Sequence, residues 1–131
     1  MKRLVAALSV VALGCSSPTA PSELLEGILI YEHPRFEGNW KALTGNVDDL
    51  DDLIAAGCSE FSDSAFDVPN WDDCISSIKV APGWTATIYE DPRYRGDSHT
   101  ITSDVSDLDD LSRGGGNWDD RISSIRIVPP A

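Results

Sequence analysis

The sequence predicts an all-β domain, an antiparallel β-sandwich built from two copies of one unit. The first observation is a repeat: "NWDDCISSIKV" at residues 70–80 returns as "NWDDRISSIRI" at residues 117–127, with eight of eleven positions identical. The second is that apolar, β-rich segments dominate each copy, and only a short "DLDDL" segment has a helical pattern. Because a unit of about four strands cannot cover its apolar face alone, we expect the two units to pack against each other.

The same elements follow one another in both copies. The segments "GILIYE", "WTATIYE", "ISSIKV" and "ISSIRIV" are rich in apolar and β-branched residues and predict strands. The "DLDDL" segments predict a single helical turn whose leucines, three residues apart, face inward. Two further pairs match at an offset of 58 residues: "YEHPRFEG" at 31–38 with "YEDPRYRG" at 89–96, and "VDDLDDL" at 47–53 with "VSDLDDL" at 105–111.

One copy carries an insertion. Residues 54–69 are 11 residues longer than the corresponding "SRGGG" at 112–116, and they contain Cys58. In an oxidising compartment Cys58 and Cys74 are expected to form a disulfide, which would close this enlarged loop. The alternative is a pair of buried thiols.

The N-terminus has the pattern of an export signal. "MKR" supplies positive charge, and the apolar run "LVAALSVVALG" of 11 residues is too short to span a membrane. We predict a signal peptide at residues 1–14. "ALGC", ending at Cys15, resembles a bacterial lipobox, which predicts lipidation of Cys15; Ala12 stands where Leu is more usual, so ordinary cleavage nearby is the alternative.

The residues after Cys15 predict a tether. Residues 15–25 are polar and contain proline, as expected of a linker between an anchor and a domain. Ser16 after the cysteine resembles a signal for the outer membrane. The predicted location is therefore the outer membrane or cell surface, as a lipoprotein that meets the membrane only through its anchor, or otherwise the periplasm or the medium.

The chain is strongly acidic. Its 22 Asp and Glu residues face 10 Lys and Arg residues, a formal net charge of −12; loss of Lys2 and Arg3 with the signal leaves 8 basic residues and a net charge of −14. This balance argues against nucleic acid as a partner and favours cations. The alternative is that the charge serves solubility alone.

Two aromatic motifs carry a family resemblance. The spacing Tyr-x4-aromatic-x-Gly occurs as Tyr31, Phe36 and Gly38 and again in residues 89–96, and it resembles the folded-hairpin signature of βγ-crystallin Greek keys. The resemblance covers about residues 25–129. It implies a domain over residues 26–130, with one Greek key over about residues 26–81 and a second over about residues 84–129.

The doubled motif fits the calcium-binding pattern of that family, Asn/Asp-Asn/Asp-x-x-Ser/Thr-Ser, as "DDCISS" at 72–77 and "DDRISS" at 119–124. Ca²⁺ takes six to eight oxygen ligands, and these segments are rich in carboxylates, carbonyls and hydroxyls. The alternative is that Asp-Asp before a strand is merely a turn. The resemblance implies two Ca²⁺ ions, each motif lending a carboxylate to the ion of the other.

The implied ligands form two sets. Site 1 comprises the carbonyls of Glu32 and Cys74, the hydroxyl of Ser76 and the carboxylate of Asp120. Site 2 comprises the carbonyls of Glu90 and Arg121, the hydroxyl of Ser123 and the carboxylate of Asp73. The resemblance further implies that four residues orient the loops by hydrogen bonds: Asp72, Ser77, Asp119 and Ser124.

These observations predict a calcium-binding module and no enzyme, because the sequence shows no Ser-His-Asp set, nucleophile elbow or phosphate loop. The alternative function is an extracellular recognition or inhibitor domain that binds a glycan or a secreted protein. The insertion at 54–69, with Phe61 and Phe66, would be its contact surface.

Overall fold

A computed structural model of the chain describes residues 24–53, 70–113 and 116–131. It confirms the predicted fold class: these residues form an antiparallel all-β structure that contains no α-helix. The predicted strand segments agree with β1, β3, β4 and β8 to within two residues at either end, and β3 and β8 start at the second serine of "ISSI" and not at its first isoleucine. The strands are β1 (Ile28–His33), β2 (Glu37–Leu43), β3 (Ser77–Val80), β4 (Thr85–Asp91), β5 (Arg95–Ile101), β6 (Ser112–Arg113), β7 (Gly116–Asn117) and β8 (Ser124–Val128).

The strands form two equivalent three-stranded sheets. In sheet 1 the order is β2-β1-β3, and in sheet 2 it is β5-β4-β8; β6 and β7 form a separate two-stranded ladder. All pairings are antiparallel, and the central strand of each sheet is the first strand of its repeat. The repeat in the sequence is therefore a repeat of whole sheets.

The two halves exchange backbone segments. Val47 of the first half forms a bridge with Ile125 of β8, and Val105 of the second half forms a bridge with Ile78 of β3. Next to these bridges, the side chain of Asn46 accepts a hydrogen bond from the amide of Ile127 (2.7 Å), and Asp104 accepts one from Val80 in the other sheet (2.8 Å). Each Greek key thus contributes one segment to the edge of the other's sheet, which ties the stability of each half to its partner.

The core lies between the sheets. Ile28 and Ile30 of β1 are fully buried on the inner face of the sandwich, and Leu29 between them is fully buried as well. The "DLDDL" segments form the predicted single turns, 3₁₀ in type, at Leu50–Asp52 and Leu108–Asp110, and their first leucines are buried in the core.

Each sheet carries a folded hairpin between its first two strands. In the first, the Tyr31 and Phe36 rings pack edge to face with centroids 5.6 Å apart, and Tyr89 and Tyr94 repeat this contact at the same separation in the second. Both residues before the hairpin's closing strand have positive φ, near 60°, in each copy. The following glycine, Gly96 in the second copy, has φ +80° and lies close to the preceding strand.

Several predictions fall outside the described residues. The signal peptide, Cys15, most of the tether and the insertion at 54–69 lie there, and so does Cys58 of the predicted disulfide, whose other member, Cys74, is buried. These remain predictions. No helix in the described part of the chain is both long enough and apolar enough to cross a membrane.

Candidate metal site

The doubled motif begins with an asparagine turn. The side-chain oxygen of Asn70 accepts a hydrogen bond from the amide of Asp72 (2.8 Å), and its amide group donates to Asp51 Oδ1 (2.9 Å). The second motif repeats both bonds from Asn117. This pattern is a turn that asparagine forms readily. The asparagines, and not the aspartates, cap the backbone amides of these turns, which leaves the second aspartate of each motif to be explained.

That second aspartate turns its side chain toward the opposite motif. Asp73 and Asp120 both have φ 55°, a left-handed conformation that Asp tolerates better than most residues. Ser123 Oγ lies 3.3 Å from Asp73 Oδ1, and Ser76 Oγ lies 3.3 Å from Asp120 Oδ1. The structure thus brings together the hydroxyl and the carboxylate of each predicted site, one from each motif.

Backbone hydrogen bonds hold this crossed arrangement. The Asp73 amide donates to the carbonyl of Ile122 (3.0 Å), and the Asp120 amide donates to the carbonyl of Ile75 (3.1 Å). Ile75 and Ile122 are fully buried, so each loop is anchored in the core immediately before its serine. These reciprocal hydrogen bonds join the two motifs in an arrangement with pseudo-twofold symmetry.

The remaining predicted ligands are adjacent in sequence to residues that contact the serine loops. The Ser76 amide donates to the carbonyl of Tyr31 (2.9 Å), which brings Glu32 beside site 1, and the Ser123 amide donates to Tyr89 (2.9 Å), which brings Glu90 beside site 2. Cys74 and Arg121 each precede their site's serine by two residues in the same loop. The structure therefore brings together the serine and the aspartate of each predicted site, and the four carbonyl ligands remain a prediction.

The oxygen separations suit a calcium ion. Two ligands about 2.4 Å from one ion and at right angles to each other are about 3.4 Å apart, close to the 3.3 Å between each serine and aspartate. A direct hydroxyl–carboxylate hydrogen bond is usually shorter, about 2.7 Å. Among the described residues, no group of three or more His, Cys, Asp or Glu residues could hold a metal ion. Each predicted site has only one side-chain carboxylate, and its other predicted ligands are a hydroxyl and backbone carbonyls.

Both motifs also bury a carboxylate oxygen without a partner. Oδ1 of Asp72 and Oδ1 of Asp119 are inaccessible to solvent and accept no hydrogen bond within the described part of the chain. Burial raises the pKa of Asp72, and the nearby carboxylates of Asp51 and Asp49 raise it further, against an opposing hydrogen bond from Ser123. Such a group is stabilised by a positive charge nearby. The predicted role of Asp72 and Asp119 in orienting the loops by hydrogen bonds remains a prediction.

The carboxylate of site 2 lies in a similar environment. Burial raises the pKa of Asp73, and the carboxylates of Asp72 and Glu90 add to this effect. The hydrogen bond from Ser123 and the positive charge of Arg121 oppose it. The net shift is upward, so the carboxylate is disfavoured where it lies without a cation.

The second serine of each motif fixes the hairpin. Ser77 Oγ donates to the carbonyl of His33 (2.6 Å) and accepts from the amide of Phe36 (3.1 Å). Ser124 does the same with Asp91 (2.6 Å) and Tyr94 (3.0 Å). Both serines therefore orient a backbone segment that carries a predicted carbonyl ligand. The asparagine before the motif, which sequence reasoning missed, is indicated only by the turn preference of Asn in "NWDD".

Comparisons with known protein families, sequences and structures show what this chain is similar to. The sequence model of peptidase inhibitor family I36 matches residues 30–101, more than half of the chain. No curated protein sequence matches. This inhibitor family is named differently from the βγ-crystallin family that the sequence motifs resemble. Inhibition is nevertheless one of the alternative functions that the sequence leaves open.

Solved structures show the same fold. A βγ-crystallin domain from Flavobacterium johnsoniae is 28% identical, with a TM-score of 0.58, over 79% of this chain and 96% of that one. A double mutant of a βγ-crystallin domain from Clostridium beijerinckii is 26% identical, with a TM-score of 0.57, over 78% and 96%. A structure from work on the evolution of the eye lens βγ-crystallin domain fold is 24% identical, with a TM-score of 0.64, over 86% and 96%. The chain belongs to peptidase inhibitor family I36 and has the fold of βγ-crystallin domains.

Proposed function

We propose that this chain is an exported calcium-binding module whose fold is stabilised by two Ca²⁺ ions. One observation carries the proposal: in each of two equivalent places, a serine hydroxyl of one motif lies 3.3 Å from an aspartate carboxylate of the other. A structural role alone would explain the turns and the hairpins. It would not explain two carboxylates in left-handed backbone conformations that each cross to the opposite motif.

Residues around the two sites preorganise the loops before an ion binds. Buried isoleucines anchor each loop, Ser77 and Ser124 hold the hairpin carbonyls, and the asparagine turns set the backbone of the aspartates. A bound Ca²⁺ would offset the partly buried negative charges of Asp72 and Asp73, whose pKa values are raised in its absence. Preorganisation lowers the entropic cost of binding, but with one direct carboxylate per site the affinity should be weak, in the class of about 10⁻⁴ M.

Binding of this kind stabilises the fold by mass action. Because the unfolded chain does not hold the two motifs together, an ion binds only the folded state. At a Ca²⁺ concentration of about ten times Kd, one site contributes about 1.4 kcal/mol to the free energy of unfolding.

The test is a calorimetric titration of metal-free protein with CaCl₂. Wild type is expected to bind two ions, and Asp73→Ala combined with Asp120→Ala is expected to bind none. An exposed substitution outside the motifs, Asp97→Ala, serves as the matched control for loss of one negative charge and should leave both sites intact. Wild-type protein that releases no heat and melts at the same temperature with and without millimolar CaCl₂ would refute the proposal.

A second candidate function is inhibition of a peptidase. The match to peptidase inhibitor family I36 favours it, and favours a secreted protein over a glycan as the partner of the alternative hypothesis. The insertion at 54–69, which the structure does not describe, is its proposed contact surface. The two functions are compatible, since calcium would stabilise the scaffold that presents the insertion.

Inhibition can be measured directly. Residual activity of serine, cysteine, aspartic and metallopeptidases is recorded against increasing protein concentration. Deletion of residues 54–64 is expected to abolish inhibition and to leave the two calcium sites unchanged. If the deletion variant still inhibits, the contact surface lies outside the insertion. If the wild-type protein inhibits no peptidase of any class, the inhibitor function is wrong.

Export and tethering complete the proposal. The motif ending at Cys15 supports cleavage before this residue and its acylation. The mass of the mature protein from membranes distinguishes the two cases: a diacylated or triacylated N-terminal Cys15 supports the tether, and an unmodified N-terminus in the soluble fraction contradicts it. Substitution Cys15→Ser should release the protein from the membrane fraction.

A further inference from the structure

Within the described residues, the large hydrophobic side chains that are exposed lie at one end of the sandwich. They are Leu25, which is 76% exposed, and Val128, which is 55% exposed. Leu25 precedes β1, and Val128 is the last residue of β8, where it pairs with Thr85 at the start of β4. Single exposed apolar side chains are common on soluble proteins. Two of them at the same end of a small domain raise the question of what that end contacts.

Three neighbouring segments form this end, which we call the linker end: residues 24–27, 81–84 and 128–131. The Ala81 amide donates to the carbonyl of Gly27 (3.0 Å), and the Trp84 amide donates to the carbonyl of Ala81 (3.0 Å). A Cβ added to Gly83 would lie 3.1 Å from the Pro130 ring. The linker between β3 and β4 therefore contacts both the segment before β1 and the segment after β8.

The linker end carries little charge. It presents exposed prolines at positions 82, 129 and 130 and the partly exposed ring of Trp84. Glu26 is the only charged side chain in its three segments, although the chain has 22 acidic residues. Asp104 lies beside it and accepts a hydrogen bond from the Val80 amide (2.8 Å). The surface of this end is therefore mainly apolar.

The candidate calcium sites lie at the other end of the same strands. Ile28 at the start of β1 pairs with Val80, next to the linker end, whereas the carbonyl of Tyr31 further along β1 accepts from the Ser76 amide. The whole of β1, with six residues, spans about 20 Å. The four aspartates of the doubled motif belong to this calcium end. The domain is consequently acidic at one end and apolar at the other.

The predicted tether enters the domain at the linker end. Cys15 is nine residues before Leu24, so acyl chains on Cys15 keep Leu24 within about 30 Å of the bilayer surface. This limit makes the linker end the part of the sandwich nearest to the anchor. A short tether also gives the domain a high effective concentration at the bilayer, so a weak apolar contact is enough to hold one orientation.

We infer that the linker end docks onto the lipid bilayer, with Leu25, Trp84 and Val128 in the interfacial region and the calcium end facing away. This inference rests on the proposed tethering, and it adds a second contact where the sequence predicts contact through the anchor alone. Tryptophan favours the membrane–water interface because its ring is apolar and its N–H is polar. The acidic calcium end would have to lose the hydration of its carboxylates to make the same contact.

Tryptophan fluorescence of the acylated protein in phosphatidylcholine vesicles tests the docking. Vesicles with and without a phospholipid that carries a nitroxide quencher just below its headgroup are compared. The quencher should reduce the emission of wild type, and Trp84→Phe should lose most of this quenching, because Trp71 and Trp118 are buried in the core. Trp40→Phe is the matched control and should keep the quenching, since Trp40 pairs with Tyr31, away from the linker end.

A second variant combines Leu25→Ser with Val128→Ser. It removes the two exposed apolar side chains and leaves the anchor and the core in place. Burying such a side chain contributes enough that the ratio of docked to undocked protein should fall about tenfold, which reduces the quenching by lipid while the protein stays on the vesicles. Circular dichroism of this variant checks its fold, and the comparison of wild type with the two tryptophan variants does not depend on it.

The outcomes separate the docking from the tether on which it rests. Acrylamide quenching of soluble Cys15→Ser protein gives the exposure of Trp84 without a bilayer. If Trp84 of the acylated protein keeps this exposure and the lipid quencher has no effect, the docking is wrong and the tether stands. If Trp84 is shielded from both quenchers, a protein such as a second copy covers the linker end, and the docking is wrong.

A mature protein without lipid would show that the tether is wrong. The docking is then measured on a chain with a hexahistidine tag in place of Cys15, held on phosphatidylcholine vesicles that contain a nickel-chelating lipid. Quenching of Trp84 by the lipid quencher in this arrangement supports the linker end as a bilayer contact. Its absence there overturns the inference.

Discussion

Replacement of Ser124 by Ala tests how the second hairpin is held. The hydroxyl of Ser124 is completely buried, donates to the carbonyl of Asp91 at 2.6 Å and accepts from the amide of Tyr94 at 3.0 Å. Both partners belong to the folded hairpin between β4 and β5. The substitution removes one oxygen atom and leaves two backbone groups without their partner, while the packing changes little.

The magnitude follows from the exposure of those groups. A fully buried polar group left without a hydrogen bond costs about 1–3 kcal/mol. Because the Asp91 and Tyr94 backbones lie in a partly buried hairpin, water can reach them after a small movement, and the loss should be about 1–3 kcal/mol for both together. For a domain of this size, that loss lowers Tm by about 4–8 °C per kcal/mol.

The assay is thermal and urea denaturation of the metal-free protein, followed by circular dichroism. Ser77→Ala removes the equivalent pair of bonds, to His33 and Phe36, and should cost a similar amount. Ser98→Ala, an exposed position on β5, is the control and should stay within about 0.5 kcal/mol of wild type. If the Ser124→Ala protein is as stable as this control, the conclusion that Ser124 stabilises the second hairpin is wrong.

Three further predictions concern pH, one glycine and the disulfide. The raised pKa values of Asp72 and Asp73 mean that the folded chain binds protons more tightly than the unfolded chain, so their contribution to the stability of metal-free protein grows as the pH falls from 7 and is lost as it rises through the folded pKa. Gly96→Ala places a Cβ where φ is +80° and 2.7 Å from an Asp91 oxygen, and it should lower the free energy of unfolding by about 1–2 kcal/mol. Mass spectrometry of unreduced protein should show Cys58 linked to Cys74, and reduction should destabilise the fold by about 3 kcal/mol.

Each of these has a control. Asp73→Asn should stabilise the metal-free protein at pH 7 and converge with wild type near pH 4; a constant difference across this range would contradict the pH argument. Gly45→Ala meets no atom within 4 Å and should be neutral by urea denaturation, so an equal loss in both glycine variants would contradict the role of positive φ. Two unlinked cysteines in the exported protein would refute the disulfide.

Local patterns predicted the parts of the fold that local sequence determines. The β-rich segments contain the central strands, the "DLDDL" turns form with Leu50 and Leu108 in the core, and the Tyr31–Phe36 contact forms as the hairpin spacing indicated. The exchange of segments through the Val47–Ile125 bridge could not be read from the sequence alone, because nothing local selects one sheet over the other as the partner of Val47.

The candidate site shows the same division. The family pattern indicated the serine and aspartate of each site, and the structure brings Ser76 to Asp120 and Ser123 to Asp73. The exposed side chain of Arg121 lowers the pKa of Asp73 in the other motif, because the two loops pack against each other. This effect depends on contacts between the repeats, which the sequence of either repeat alone does not show.

The central claim is that each motif lends its carboxylate to the site of the other, and nuclear magnetic resonance of ¹⁵N-labelled Asp73→Asn protein tests it most directly. During a CaCl₂ titration, the account predicts that the amide of Ser76 still shifts on ion binding while the amide of Ser123, in the opposite motif, no longer does. Loss of the Ser76 response with retention of the Ser123 response would show that each carboxylate serves its own motif, and would contradict the account.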